Sequence, residues 1–389
     1  MYKADYQGGG IVNLMTSISL GLGAEPGPYA PARLLDADEI GAARQVVLLV
    51  VDGLGELFFR TDPGELAGAH RGALSSVFPS ATAAAVSSFF TGVAPQQHAV
   101  TGWHLYLREL GMVVKSLPFV PRFGGASLTD WGRSPELMLR RPSLFPRLDC
   151  EVRQVAPQQI VASPYNRLAT GNAVTYAFDD FQQCCRHIAQ LACLGDHSSR
   201  RRQFISAYWP QLDSLAHQHG IDSTAVRKHW RELRSGITEL ARELAGSDSL
   251  LLVTADHGFI DTRPESVVEL ADHPNLAECL SLPLCGEPRA AFAYVRPGRC
   301  RDFEQYVQEV LGNAFELHAS EALLAAGWFG LGTPAPELHQ RIGDYVLIPR
   351  GDQVIHESLG DERGWPGMIG VHGGCSEAEM LVPLLALEC

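Results

Sequence analysis

Residues 46–51, Val-Val-Leu-Leu-Val-Val, are apolar without interruption and stop abruptly at Asp52-Gly53. A strand with one wet face alternates apolar and polar positions, so an unbroken run of this length fits a strand covered on both faces, as in a parallel sheet. Similar short runs recur at 204–209 and 250–254, and helix-like stretches lie at 181–194 and 224–245. Strands alternating with helices predict an α/β fold: a doubly wound, mostly parallel sheet with helices on both faces.

From about residue 280 the texture changes, with strand-like 290–295, helical 303–311 and further strands near 315–318 and 345–349, before the chain returns at 370–374. The pattern predicts a core built from 1–279 and 361–389 and a smaller α+β lid inserted at 280–360. Residues 11–23 are the one targeting candidate. Asn13, Thr16, Ser17 and Ser19 interrupt that run and Asp5 weakens its positive flank, so a cytoplasmic protein is expected. No apolar run approaches the roughly 18 residues of a membrane span, and a soluble chain is expected.

Composition narrows the function. With 46% apolar and 19% charged residues the chain can bury a large core, which excludes a disordered protein. Its 31 Lys+Arg against 44 Asp+Glu give a formal charge of −13, and Arg200, Arg201 and Arg202 form the one dense basic block. Bulk nucleic-acid binding is therefore not expected. An anionic substrate would need local positive charge from another source, such as a bound metal. The nine cysteines are scattered, include the neighbours Cys184 and Cys185 and contain no CxxC pair, which reads as reduced thiols without a zinc knuckle.

Several polar residues follow the buried runs directly. Asp52 sits just past 46–51, at the sheet edge where open α/β folds place ligands, although a turn Asp that caps the next helix would look the same. Asp213 and His217 form a DxxxH pair whose i, i+4 spacing on a helix turns both toward one point, suited to a divalent ion or to a plain surface ion pair. Asp256-His257-Gly258 follows 250–254, where a strand breaking into a loop lets adjacent side chains splay around one cation. His372, in Val-His-Gly-Gly, has glycines beside it that permit close backbone approach, as an ordinary turn also would. Three Asp and three His in such places match the needs of two divalent sites. For a nucleophile, Thr82 in Phe-Pro-Ser-Ala-Thr-Ala is expected in the first turn of a helix starting at Pro79 and Ser80, where free N–H groups favour a negative oxygen. Either Ser80 or Thr82 would equally serve as a cap. A threonine hydroxyl needs a base or a metal to attack at neutral pH.

This combination resembles the alkaline phosphatase superfamily, and within it the type I phosphodiesterase/nucleotide pyrophosphatase branch, from about Val46 to His372. The shared elements are a buried strand ending in Asp-Gly, a threonine nine residues before Thr91-Gly92, a DxxxH, an Asp-His-Gly and a late His. The resemblance implies that Asp213, His217 and His372 hold one zinc ion, and Asp52, Thr82, Asp256 and His257 a second. It further implies attack by Thr82 on phosphorus, release of an alcohol or nucleotide and hydrolysis of a phospho-threonine, with metals about 3.5–4 Å apart flanking the entering and leaving oxygens.

The expected activity is that of a metal-dependent phosphohydrolase acting on phosphodiester or phosphoanhydride bonds of a small, phosphorylated substrate, with a nucleotide as one candidate. A phosphonate or phosphomonoester hydrolase of the same superfamily, or a metal-holding relative without catalysis, stays open as an alternative. The resemblance also implies an Asn three residues after the nucleophile, where this chain has Ala85. The zinc ions, together with the backbone N–H of Ala83 at the helix start, are expected to meet the oxyanion in its place. His98 is expected to be structural, and Trp103, His104 and Tyr106 either line a leaving-group pocket or pack ordinarily. No CxPxR string of the sulfatases is present, and Gly53-Leu54-Gly55 does not extend to a dinucleotide or P-loop motif.

Overall fold

The computed structural model describes residues 1–171, 173–194, 202–360 and 364–389. Its larger core element is a seven-stranded sheet in the order His70–Ser75, Leu381–Glu388, Ser249–Thr254, Gln45–Val51, Gln203–Trp209, Glu151–Pro157, Val174–Phe178. Gln45–Val51 runs parallel to both neighbours, and all seven of its residues are buried, as the unbroken apolar run requires. Leu381–Glu388 alone runs against its two neighbours. The mostly parallel α/β sheet expected from the sequence is the one observed, and its topology determines where the chemistry gathers. The parallel strands end side by side, so residues 52, 210–217 and 255–258 emerge at one edge of the sheet. The antiparallel Leu381–Glu388 begins at that same edge and brings residues 372–380 to it.

A second seven-stranded sheet has the order Phe315–Ala319, Tyr345–Pro349, Ala290–Ala293, Cys285–Glu287, His104–Leu107, Met112–Lys115, Val120–Pro121. The 280–360 segment thus does not close on itself: the three strands within 104–121 share its sheet. The helix expected over 303–311 is α-helical at Cys300–Tyr306 and continues as a π-turn through Val307–Leu311.

Most of the 11–23 run is the helix Ile11–Gly21, nearly all of it buried. Its interrupting polar residues are satisfied inside the protein. Asn13 donates to the carbonyls of Tyr6 and Ala30, Ser17 to that of Leu35, Thr16 to Val12 and Ser19 to Thr16. Of the basic block, Arg200 and Arg201 lie outside the described residues. Arg202 turns inward and donates to the carbonyls of Gly21, Ile40 and Ala43. Residues 361–363, where the core was expected to resume, are also outside the described set. Among the described residues no helix is long and apolar enough to cross a membrane.

Candidate active site

All seven sequence-selected residues lie at the common sheet edge. Asp52 follows Gln45–Val51 directly. Asp213 and His217 lie on the helix Gln211–His219, which begins one residue after Pro210, and face each other across one turn at 3.4 Å. Asp256 and His257 follow Ser249–Thr254, and His372 follows the short strand Gly370–Val371. Two glycines permit the approach of the first and third loops. The Cα of Gly258 would lie 2.9 Å from a Cβ on Gly55, and Gly53, at φ +78°, donates its N–H to Asp256 Oδ1 at 3.1 Å.

Thr82 is the first residue of the helix Thr82–Thr91, with Ala81 as its N-cap. The helix therefore starts later than the Pro79-Ser80 expected from sequence. Residues 76–81 are instead held as a strap: Ser76 N–H donates to Met380 O, Ser76 Oγ to Asp256 O, and Ser80 Oγ to Gly374 O at 2.7 Å. Ser80 is fully buried in this role, which leaves Thr82 as the accessible hydroxyl.

The side chains fall into two groups, Asp213/His217/His372 and Asp52/Asp256/His257, each with donor atoms within 4.8 Å of one another. The groups adjoin, because the His257 and His372 rings stack 3.6 Å apart at 12°. Thr82 Oγ1 lies 3.1 Å from His257 Nε2.

Each imidazole engages a backbone carbonyl through Nδ1: His217 with Gly370 at 2.8 Å, His257 with Gly258 at 3.1 Å and His372 with Ser80 at 3.2 Å. An Nδ1–H donor in each leaves the Nε2 lone pair facing the cluster. The carboxylates are arranged in the same spirit. Asp256 Oδ1 accepts from the N–H groups of Gly53 and His257, and Asp52 Oδ2 accepts from the Tyr208 hydroxyl. Asp52 Oδ1, Asp256 Oδ2 and Asp213 Oδ1 are buried and accept no hydrogen bond. Buried carboxylate oxygens without donors are costly unless a cation meets them, so this donor set fits divalent metal ions.

Electrostatics agree with that fit. Burial, and then the Asp213 and Asp256 carboxylates, hold Asp52 well above the usual carboxylate range. Burial, reinforced by His257 and His217, pushes His372 well below the usual imidazole value. His217 resists the same burial because Asp213 beside it favours the cation, and its value is raised.

A cavity of about 620 Å³ opens on this edge, and Thr82, Ala83, Asp213, His217 and His372 form its floor. A larger groove of about 1190 Å³ lies between the helices Phe181–Leu194 and Thr224–Glu243, away from the cluster. Chemistry rather than size therefore identifies the site. Trp103 and His104 line the 620 Å³ cavity, whereas Tyr106 packs against the Tyr294 ring. His98 is a core residue that bonds Ser88 Oγ and the Val100 N–H, and burial pushes its value down to about 3. Ala85 is fully buried and does not line the cavity, so a longer side chain there would enter the core. The departure noted from sequence leaves no gap in the cavity wall.

Several contributors escaped the sequence reading. Tyr208, near the end of a buried strand, orients Asp52. Glu287 lines the cavity and accepts from the Trp103 N–H at 2.6 Å, and burial raises its carboxyl to about 8. It occupies a hairpin end that reads as an ordinary solvated turn, with no signal in sequence. Glu379, fully buried, pairs in bidentate fashion with Arg289 at 2.9 and 2.8 Å and accepts from the Gly374 N–H. Its backbone carbonyl holds the Gly258 N–H at 2.9 Å, so one residue ties the His372 loop to the His257 loop.

Comparison with known proteins places this geometry. No curated protein matches the sequence. Among solved structures, murine ectonucleotide pyrophosphatase/phosphodiesterase 5, inactive and in complex with AMP, is similar with a TM-score of 0.65 and 15% identity, covering 88% of this chain and 87% of that one. The human counterpart gives the same values. Phosphonoacetate hydrolase from Sinorhizobium meliloti, in complex with phosphonoformate, reaches a TM-score of 0.63 at 16% identity, over 89% of this chain and 91% of its own. These likenesses show that the chain shares the fold of those proteins. The model of the type I phosphodiesterase/nucleotide pyrophosphatase family matches residues 46–374, most of the chain, and the protein belongs to that family.

Proposed function

We propose that the chain is a metal-dependent phosphohydrolase that cleaves phosphodiester or phosphoanhydride bonds of a small substrate, of the size of a nucleotide, with Thr82 as nucleophile. The observation that supports this most is the abutment of two donor groups with unpaired buried oxygens, beside an accessible threonine hydroxyl. Asp213, His217 and His372 would hold one divalent ion, and Asp52, Asp256 and His257, with Thr82, the other. Mixed imidazole and carboxylate donors suit zinc. Ions bound there supply Lewis-acid neutralisation of the charge on phosphoryl and attacking oxygens.

The protein's own residues do the positioning. The substrate lies with its phosphoryl group over Thr82 and its leaving group toward Trp103 and His104. Thr82 Oγ loses its proton and forms a bond to phosphorus as the bond from phosphorus to the leaving oxygen breaks in line. At the helix start the Ala83 N–H has no intrahelical partner and points its dipole at the transferring group, where it stabilises a non-bridging oxygen. Water then attacks phosphorus, the bond to Thr82 breaks, and the hydroxyl regains its proton. Glu287 and Trp103 shape the wall beside this floor.

The test is hydrolysis of bis-p-nitrophenyl phosphate by the zinc-loaded protein. Chelation and Thr82→Ala should each lower kcat at least about a thousand-fold, the scale of losing a nucleophile. Labelled phosphate should be trapped on Thr82 by acid quench. Undiminished turnover in both cases would remove the mechanism, and a metal-holding binder without catalysis would trap no label. Phosphomonoesters and phosphonates, assayed alongside, rank the alternative substrates.

A further inference from the structure

A short parallel sheet borders the cavity above the metal-binding floor. Its strands, Val267–Glu269 and Val354–His356, pair in register, which sets Glu269 beside His356. His356 Nδ1 meets both Glu269 carboxylate oxygens, at 3.2 and 3.0 Å. A carboxylate only accepts, so Nδ1 carries the proton, and the neutral ring keeps its lone pair on Nε2. His356 lines the cavity, and no group among the described residues bonds that Nε2. The carboxylate–imidazole pair is separate from the seven residues of the floor, and the phosphoryl-transfer steps give it no task.

Two more hydrogen-bonding groups border the same space. Glu287 takes the Trp103 N–H on Oε1, and its second oxygen has no hydrogen bond among the described residues. Burial, and then the Arg122 guanidinium, push His104 well below the usual imidazole value, so its ring is neutral and holds one unprotonated nitrogen. Indoles form other parts of the wall. Trp365 donates its Nε1–H to the Met368 carbonyl at 3.0 Å, and its ring stands edge-on to His356, 5.5 Å away at 83°. Trp103 lines the cavity with its indole 36% exposed. The electron-rich face of an indole attracts the weakly positive C–H groups of a saturated ring. Acceptors stripped of water by an entering ligand are costly unless the ligand brings donors. Indole faces interleaved with such acceptors therefore fit a ring with C–H groups on its faces and hydroxyls on its rim.

We propose that the leaving group is a polyhydroxylated saturated ring, a sugar or a cyclitol, whose face rests on Trp103 and whose rim hydroxyl donates to His356 Nε2. Glu269 is a positioning residue that fixes the orientation and tautomer of the imidazole. This rests on the phosphohydrolase reading and names the substrate class of that same site. A cavity of about 620 Å³ has room for such a ring with its phosphoryl group. A ring of the same size without hydroxyls leaves the His356 acceptor unpaired, and a site built around a hydroxyl discriminates strongly against an analogue that lacks it.

Three monophosphates test the idea as competitors of bis-p-nitrophenyl phosphate hydrolysis by the zinc-loaded protein: glucose 1-phosphate, myo-inositol 1-phosphate and cyclohexyl phosphate. The cyclohexyl compound has the ring and the phosphate without the hydroxyls. A competitor that is itself hydrolysed gives its KM in the same assay. At least one hydroxylated compound should compete about tenfold or more tightly than cyclohexyl phosphate, and preference between the two tells a sugar from a cyclitol. His356→Leu should collapse that ratio toward one. Glu269→Gln, whose amide can donate to Nδ1 as well as accept from it, should lower the ratio at least about threefold, through weaker binding of the hydroxylated ring alone. Equal competition by all three compounds, a ratio that both variants leave intact, or a parallel loss for all three compounds in both variants overturns the proposal while the phosphohydrolase reading stands. Failure of the wild type to hydrolyse bis-p-nitrophenyl phosphate overturns both.

Discussion

The Arg289–Glu379 pair offers a quantitative test of how the site is held. Replacing Arg289 with Met keeps an unbranched stem but removes both bonds to Glu379 and the donors to the Gly351 and Gln353 carbonyls. Glu379 would then retain only the Gly374 N–H and the Ser376 N–H and hydroxyl, in a position with no solvent access. Breaking a buried pair from one side costs about 3–5 kcal/mol. Unfolding entropy of about 2.1 cal/mol/K per residue, taken over 389 residues, converts that loss into a fall in Tm of about 4–6 °C. Glu379→Gln alone should also destabilise, by stranding the guanidinium. The double variant should recover part of the loss, with a coupling of about 2 kcal/mol. Because Glu379 fixes both Gly374 and Gly258, zinc affinity measured by calorimetry should fall about tenfold or more in Arg289→Met. Tm losses that simply add, together with wild-type zinc affinity in every variant, would refute the reasoning.

Two further outcomes follow from single side chains. Tyr208→Phe removes the hydroxyl that holds Asp52 Oδ2 and frees the carboxylate to rotate, so zinc affinity should weaken about 10–100-fold with little change in Tm; unaltered affinity would show that Asp52 is oriented by other means. Glu287, raised to about 8 chiefly by burial, keeps its proton in the folded state where the unfolded chain has released it, so its contribution is fully present below the ordinary carboxyl range and is lost as pH rises through 8. Glu287→Gln should therefore gain in Tm relative to the wild type between pH 5 and 9, and parallel Tm profiles would contradict that sign.

The parts of this structure legible in sequence are those where one physical rule acts alone. A strand covered on both faces must be apolar throughout, so 46–51 and 250–254 declared themselves, and the polar residues just beyond them had to emerge at the sheet edge. The strands of the second sheet within 104–121 are two to four residues long and half-buried, too short to establish a period. His70–Ser75, at the sheet's edge, contains His, Arg and Gly and offers no apolar run to mark it as a strand. The roles of the polar residues in the helix Ile11–Gly21 were hidden for another reason: they make internal hydrogen bonds to neighbouring backbone, which sequence cannot distinguish from solvent contacts. At the candidate site, the Asp and His residues that converge were visible because few residue types suit a metal ion. Tyr208 and Glu379 were not, since their roles depend on partners 156 and 90 positions away.

The strand Leu381–Glu388 is the last in the chain order of its sheet, yet it sits between two strands made long before it. Until it slots in, His70–Ser75 has no hydrogen-bonded neighbour in that sheet, and the strap leading to Thr82 lacks the Met380 carbonyl that receives Ser76. Residues 381–388 must consequently be in place before Thr82 meets the surroundings it has in the fold. Without that strand the chain would possess the individual side chains but lack the arrangement that gathers them.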